Sequence, residues 1–328
     1  MSVLVLTHQN VEDLLPMARC IEVMAEALAG LHRGEWTQPL RSVYPPPNAN
    51  GIMAWMPAHR GGKRPIFGMK VLCVMPGNPS RGLDGHQGAV LLMDGLTGEP
   101  RAMVHASAVT AIRTAAVSAV ATRLLAREDA RELAIIGAGV QARRHLEAMA
   151  CVRPIERVRV ASRTLAGAQR FVDSVRRGFS GAIEAVGTVA EAVQGAHIVV
   201  TATTARTPVL RREWLAPGTH VNAVGASQRT HQEIDAATVV AASLFVDRRQ
   251  SVENEAADFR QAIEEGLIPV DHVRAELGEL LVGACVGRQS ADEITLFRSL
   301  GLAVEDVAAA LYVVEAAEAA GVGSRAPW

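Results

Sequence analysis

Apolar and polar positions change rhythm twice along this chain. Residues 11–33 repeat at helical spacing, with Met17, Ile21, Met24 and Leu28 on one stripe. Pro39, Pro45, Pro46 and Pro47 then break the pattern. Between Gly51 and Val104 the apolar residues fall into short runs, IMAWM, IFGMKVLCVM, AVLLMD and AMVHA. The turn formers GNPSRGLDG and GLTGEP divide them, which predicts a mainly antiparallel sheet. Thr110 to Arg127 is alanine-rich and helical, ending before the polar connection REDARE. From Leu133 short apolar runs (LAIIGAG, VRVAS, HIVVTATT, HVNAVGAS, SLFVD) alternate with helical segments, the βαβ signature of a parallel sheet. After Leu302 the stretch VEDVAAALYVVEAAEAAG forms a last helix with a strong apolar face, expected to leave that sheet and return to the first part of the chain. The predicted fold class is α/β, a Rossmann-type doubly wound parallel sheet over residues 129–304. A smaller α+β domain, discontinuous over 1–128 and 305–328, is expected to bind substrate and to dimerise.

Composition removes several function classes. Apolar residues make up 49% of 328, enough for two packed cores. Charged residues total 20% and nearly cancel to a net charge of −1, so no positive field is expected to hold nucleic acid or an anionic membrane. Aromatic residues, at 4%, are too few for stacking platforms. Cys20, Cys73, Cys151 and Cys285 show no CxxC spacing, and no His/Cys/Asp/Glu cluster has the spacing of metal ligands. The start MSVLVLTHQNVEDLL lacks a basic region followed by a long apolar one, and Arg113 and Arg123 interrupt the apolar stretch from Ala106 to Ala126. A cytoplasmic enzyme without metal, membrane or nucleic-acid partner is the expectation.

The chemistry begins where the strand LAII runs into Gly137-Ala138-Gly139-Val140-Gln141-Ala142 and a helix. Gly137 permits a tight turn, Gly139 lets a pyrophosphate approach the backbone, and Ala142 allows helix to pack on strand. The free N–H groups at the helix start would receive the phosphates. About twenty residues on, the second strand ends in Ser162-Arg163-Thr164, without the acid that binds a ribose 2′-hydroxyl in NAD sites. An arginine there suits a 2′-phosphate, so NADP(H) is preferred, with NAD(H) possible. Thr203, and the run Val224-Gly225-Ala226-Ser227, end two later strands where such sheets bind their ligands.

Three cations lie inside apolar or small-residue stretches: Arg41 in PLRSV, Lys70 in FGMKVL and Arg113 in AIRTAA. Burying an unpaired cation is costly, so each is expected to face an anion. A ligand carboxylate, which a guanidinium holds by two parallel hydrogen bonds, and an internal Asp or Glu are the two choices.

Taken with QPLRS, Met56-Pro57, GMKVL, HQGAVLLMDGLTGEPRAMV, TAIRTAAVSAVAT, IIGAGVQA, VASRT, VTATT and above all GRQSADEITLFRSLGLAVEDVAAA, the chain resembles the ornithine cyclodeaminase/μ-crystallin family over nearly its whole length. The resemblance implies an NAD(P)-binding domain joined to a smaller one, a homodimer, and a small amino acid-derived substrate. It also implies that Arg41, Lys70 and Arg113 bind the substrate carboxylate; Lys70 is a candidate either to supply or relay a proton or to act by its charge alone. Cyclodeaminases of the family carry a Glu and an Asp where this chain has Ala54 and Ser227. A cyclodeaminase needs such groups to move protons and expel ammonia, and each is worth about 10²–10⁴-fold. Reduction of a cyclic ketimine needs fewer, mainly proximity and orientation. The expected activity is therefore an NAD(P)H-dependent reductase of 1-pyrroline-2-carboxylate or 1-piperideine-2-carboxylate. The alternatives are an ornithine cyclodeaminase, an amino acid dehydrogenase, or a binding protein without turnover. Among other polar residues, His86 is expected near the substrate mouth, as pocket lining or merely solvated, and for His231 solvation is favoured over a place in the pocket. His145 is expected on the surface, and Asp84 and Asp94 in turns.

Overall fold

The computed structural model describes residues 2–227 and 229–328. Two compact units divide the chain, one of Met1–Arg113 with Leu302–Trp328 and one of Thr114–Gly301. The first starts with β1 (Ser2–Leu6), α1 (His8–Leu14) and α2 (Met17–His32). Thr7 caps α1, accepting from the Asn10 amide while the Asn10 side chain accepts from the Thr7 amide. The stripe Met17, Ile21, Met24 and Leu28 is buried along α2.

Strands β2 (Trp36–Thr37), β3 (Ser42–Tyr44), β4 (Ile52–Arg60), β5 (Ile66–Val74), β6 (His86–Asp94) and β7 (Pro100–His105) follow. Their pairings with one another are antiparallel, as the short apolar runs and the turn formers between them predict, and β7 also pairs with β1 in parallel. Asp94 closes the turn between β6 and β7 by accepting from the amides of Leu96 and Thr97. Burial alternates along β4 and β5, so even-numbered residues face inward and odd-numbered residues face outward. The following helix, α3 (Ala106–Leu125), begins four residues earlier than Thr110, since nothing in HASAV breaks it. By length and composition α3 could cross a membrane, but 83% of that apolar stretch is buried in the fold.

The second unit continues with β8 (Glu132–Ile136), α4 (Val140–Val152), β9 (Arg157–Ala161), α5 (Leu165–Val175), β10 (Ala182–Ala185), α6 (Val189–Val193), β11 (Ile198–Thr201) and β12 (His220–Ala223). Then come α7 (Ala236–Ala241), β13 (Ser243–Val246), α8 (Arg249–Glu255), α9 (Ala257–Glu264), β14 (Ala275–Glu276), α10 (Leu277–Leu281) and β15 (Thr295–Arg298). The strand order is β10-β9-β8-β11-β12-β15-β13-β14, parallel throughout. From β8 the chain winds outward through β9 to β10, and from β11 it winds the other way, with β15 returning between β12 and β13. The β8/β11 border is thus a topological switch point, where sheets of this kind bind ligands at the carboxyl edge. Strands β11, β12 and β15 are buried at every residue, as expected of strands covered on both faces.

Helix α11 (Ala303–Ala320) rejoins the first unit, packing on α2 and on strands β4 to β7, and β16 (Ser324–Pro327) pairs with β1. The approach of α11 is close: a Cβ at Gly68 of β5 would collide with the Val307 side chain.

Candidate active site

In the first unit, β5 and α11 bring four charged groups together out of solvent. Lys70 lies on the inward face of β5, opposite Met56 of β4 and Val90 of β6. Its Nζ is 2.5 Å from Oδ2 of Asp306, in the first turn of α11. Arg113 of α3 reaches the same turn, donating from Nε to Oδ1 of Asp306 at 2.9 Å and from Nη1 to Oε2 of Glu305 at 2.7 Å. Lys70 is 2% exposed and Arg113 5%, while both acids are fully buried. Burial lowers the Lys70 pKa to about 8; Asp306 opposes that shift, and Arg113 and Arg41 add to it. For Asp306, burial alone would raise the pKa, but Arg113 and Lys70 outweigh it and hold the carboxyl below its usual range. Arg41, half-buried between β2 and β3, is close enough for its charge to act on Lys70.

Of the two expected anions, internal carboxylates are therefore present for Lys70 and Arg113. That does not exhaust the cluster. Arg41 adds a third cation within electrostatic reach of this cluster. A planar guanidinium is the group that would hold a ligand carboxylate by two parallel hydrogen bonds.

In the second unit the dinucleotide motif sits at the switch point. Gly137 follows β8 with φ of +123°, and a Cβ there would collide with the carbonyl oxygen of Ala202 after β11. Only glycine fits that turn. Gly139 is the N-cap of α4 and has no atom within 4 Å of where a Cβ would stand. No side chain caps the thirteen-residue α4, so its first amides remain available to phosphate oxygens. Val140 is exposed beside them, the Oε1 atom of Gln141 is buried without a partner among the described residues, and Ala142 is fully buried against the sheet. After β9, Ser162 donates to the Thr164 carbonyl at 2.8 Å, and Thr164 caps α5 by accepting from the Gly167 amide at 3.1 Å. Arg163 between them is exposed. Thr203, Val224, Gly225 and Ser227 lie beyond the ends of β11 and β12 on the same edge. These features fit a dinucleotide: an open glycine, an uncapped helix start and a cation at the second strand end.

The sequence matches the ornithine cyclodeaminase/mu-crystallin family over residues 1–321. The chain belongs to that family. It is similar to the Delta(1)-pyrroline-2-carboxylate reductase of Bacillus cereus, 36% identical over 98% of this chain and 99% of the relative. Among solved structures it resembles the Delta(1)-pyrroline-2-carboxylate reductase of Thermococcus litoralis, determined with NADH and L-proline. That match is 37% identical, with a TM-score of 0.94, over 98% of this chain and 99% of the other. An archaeal alanine dehydrogenase dimer with bound NAD is 33% identical with a TM-score of 0.93 over the whole of both chains.

This member of the cyclodeaminase/mu-crystallin family carries neither acid of the cyclodeaminase pattern. Ala54 is buried on the inward face of β4, two residues from Met56 and so on the same face as Lys70. Ser227, half-buried, stands where the second acid would be. His86 is exposed at the start of β6. Its ring is still enclosed enough for desolvation, then Lys70 and Arg113, to lower its pKa, which puts it beside the cationic cluster. His231 is half-buried, bonded to Thr230 Oγ1 at 3.0 Å, and its pKa is lowered by burial and then by Arg206.

One expectation fails. His145 is not at the surface but fully buried in α4, with Nδ1 against the Gln141 carbonyl at 2.7 Å and Nε2 against Ser118 Oγ of α3 at 3.0 Å. The physical reason is the helical period: Ala142, His145, Leu146 and Met149 form the buried stripe of α4. Sequence reasoning also missed Glu305 and Asp306. Their signal was available: they are the first two acids of an otherwise apolar helix that buries all of its first turn.

Proposed function

We propose that the protein is an NAD(P)H-dependent reductase of a cyclic imino acid, converting 1-pyrroline-2-carboxylate to L-proline or 1-piperideine-2-carboxylate to L-pipecolate. The observation that carries this is the buried Lys70–Asp306–Arg113–Glu305 cluster, with Arg41 in electrostatic reach of Lys70 and without an acid at positions 54 or 227. Arg113 and Arg41 bind and orient the substrate carboxylate. Lys70, whose pKa near 8 keeps it protonated at neutral pH yet able to release a proton, gives one from Nζ to the ring nitrogen. Asp306, facing Nζ, holds that ammonium in place. A reduced nicotinamide nucleotide, held by Gly137, Gly139 and the start of α4, supplies hydride to the imine carbon when bound. Arg163, with Ser162 and Thr164, favours the 2′-phosphate of NADPH over the bare ribose of NADH.

The outward face of the first sheet supports a homodimer. Met53, Trp55, Phe67 and Met103 are exposed on it, and an apolar pocket of about 680 Å³ lies against Pro57, Phe67, Met69 and Met93. Light scattering should give twice the 34.8 kDa chain mass. A monomer at micromolar concentration contradicts the dimer.

The activity is tested by supplying 1-pyrroline-2-carboxylate with NADPH, and L-ornithine with NAD⁺, in parallel. A reductase consumes one NADPH per product in the first reaction and releases no ammonia in the second. Rapid ammonia release from ornithine with no net change in cofactor would identify a cyclodeaminase.

A further inference from the structure

Glu233 has no part in the mechanism above, and it is a buried acid at the carboxyl edge of the second unit's sheet, 1% exposed. Its side chain spans the ends of two neighbouring strands. Oε1 accepts from the amide of Thr203, two residues past β11, at 2.6 Å. Oε2 accepts from the amide of Gly225, two residues past β12, at 2.6 Å and from the hydroxyl of Thr201 at 2.9 Å. The fit around it is tight, since a Cβ at Gly225 would collide with both the Thr203 backbone and Oε1 of Glu233. Burial raises the carboxyl's pKa, against which its three donors and the charge of Arg298 stabilise the carboxylate. No ion pair to Glu233 exists among the described residues. Arg298 instead pairs with Asp258 at 2.9 Å and donates to the carbonyl of Ala226. The loop from Val224 to Ser227 is thus gripped from both sides, by a carboxylate on an amide and a guanidinium on a carbonyl.

A nicotinamide ring differs between its redox forms by one charge, positive when oxidised and neutral when reduced. A carboxylate at the ends of β11 and β12 therefore treats the two forms differently, whereas a purely structural staple does not. We propose that Glu233 is a positioning residue of the cofactor site whose negative charge biases the site toward the oxidised nicotinamide nucleotide. The proposal rests on the cofactor reading above. It adds that transfer of hydride away from the ring is favoured by a charge built into the second unit, separate from the Lys70 cluster.

The test is binding, not turnover. Dissociation constants for NADP⁺ and NADPH are measured by calorimetry on the full chain at pH 8.5 for the wild type and Glu233→Gln, and for the shorter pair Glu233→Asp and Glu233→Asn. Each pair compares a charged with a neutral side chain of equal length, so the Asp/Asn pair decides the matter where the Gln variant fails to fold. In each pair the ratio Kd(NADP⁺)/Kd(NADPH) should rise about tenfold in the neutral member, because the oxidised ring loses an attraction that the neutral, reduced ring never had. An unchanged ratio, with both affinities falling together, would reduce Glu233 to a structural staple and overturn the proposal. A wild type that binds neither nucleotide would overturn the cofactor reading itself.

Discussion

A buried lysine can serve as a proton donor only if its surroundings lower its pKa without discharging it. Lys70 meets both conditions: burial lowers the value to about 8, and Asp306 at 2.5 Å opposes further loss. In the direction of imine reduction, kcat/KM should then be flat below pH 8 and fall as pH rises through 8 and Nζ loses its proton. Lys70→Arg keeps the charge but cannot release the proton, so the variant should retain substrate binding, lose kcat by about 10²–10⁴-fold and lose the basic limb. The same limb surviving in the Arg variant would assign the titration to another group. Cofactor choice is also set by one side chain. Arg163 is exposed after β9 with no acid beside it in Ser162-Arg163-Thr164. A charged hydrogen bond to phosphate contributes about 1.5–3 kcal/mol, so Arg163→Asp should weaken NADPH about tenfold to a hundredfold while sparing NADH. Equal Kd values for the two nucleotides in the unmodified protein would contradict the assignment. Lys70 and Arg113 were legible in the sequence because each is a cation in an apolar run. Their partners were not, because Glu305 and Asp306 open a helix, where acids are ordinarily explained by the helix dipole.

At the level of elements, two glycines of one motif have different tasks, and the structure separates them. Gly137 is fixed by the protein itself, through its positive φ and the Ala202 carbonyl. Gly139 is not, because the space before it is empty of protein atoms. Gly139→Ala should therefore leave the thermal midpoint within about 1 °C of wild type while raising the cofactor Kd at least tenfold, as a methyl group displaces the pyrophosphate from the helix start. Matched thermal unfolding and NADPH titration check this, and an unaltered Kd would mean that the phosphates lie elsewhere. The βαβ rhythm behind the motif was readable because strands covered on both faces appear as unbroken apolar runs, LAII and IVVT among them. Glu233 was not readable. It lies in the polar run THQEIDAA, and only the folded chain shows that Thr203 and Gly225 both turn their amides toward it.

On the scale of the whole molecule, the buried polar groups set how the fold responds to acid. His145 and His220 are fully buried in the second unit, and burial lowers their pKa values to about 4 and about 3. Both remain neutral in the folded chain at pH 5, while in the unfolded chain they titrate near 6.5. Between those values the unfolded state binds more protons, so stability is fully present above pH 6.5 and declines as pH falls toward 4. Asp306 loses its contribution only below about 3.8, its unfolded value, and Lys70 acts only above pH 8, so neither enters this window. Glu233 does enter it with the opposite sign, because a carboxyl whose pKa is raised by burial takes up a proton in the folded state first. The histidine effect must therefore be isolated by substitution. The urea midpoint should fall from pH 7 to pH 5 in the wild type. His145→Gln keeps a polar side chain against Ser118 and the Gln141 carbonyl but cannot be protonated, so it should be less stable at pH 7 yet show a shallower fall. A slope with pH identical to wild type would show that His145 gains its proton without unfolding, and that the acid sensitivity of the fold arises elsewhere.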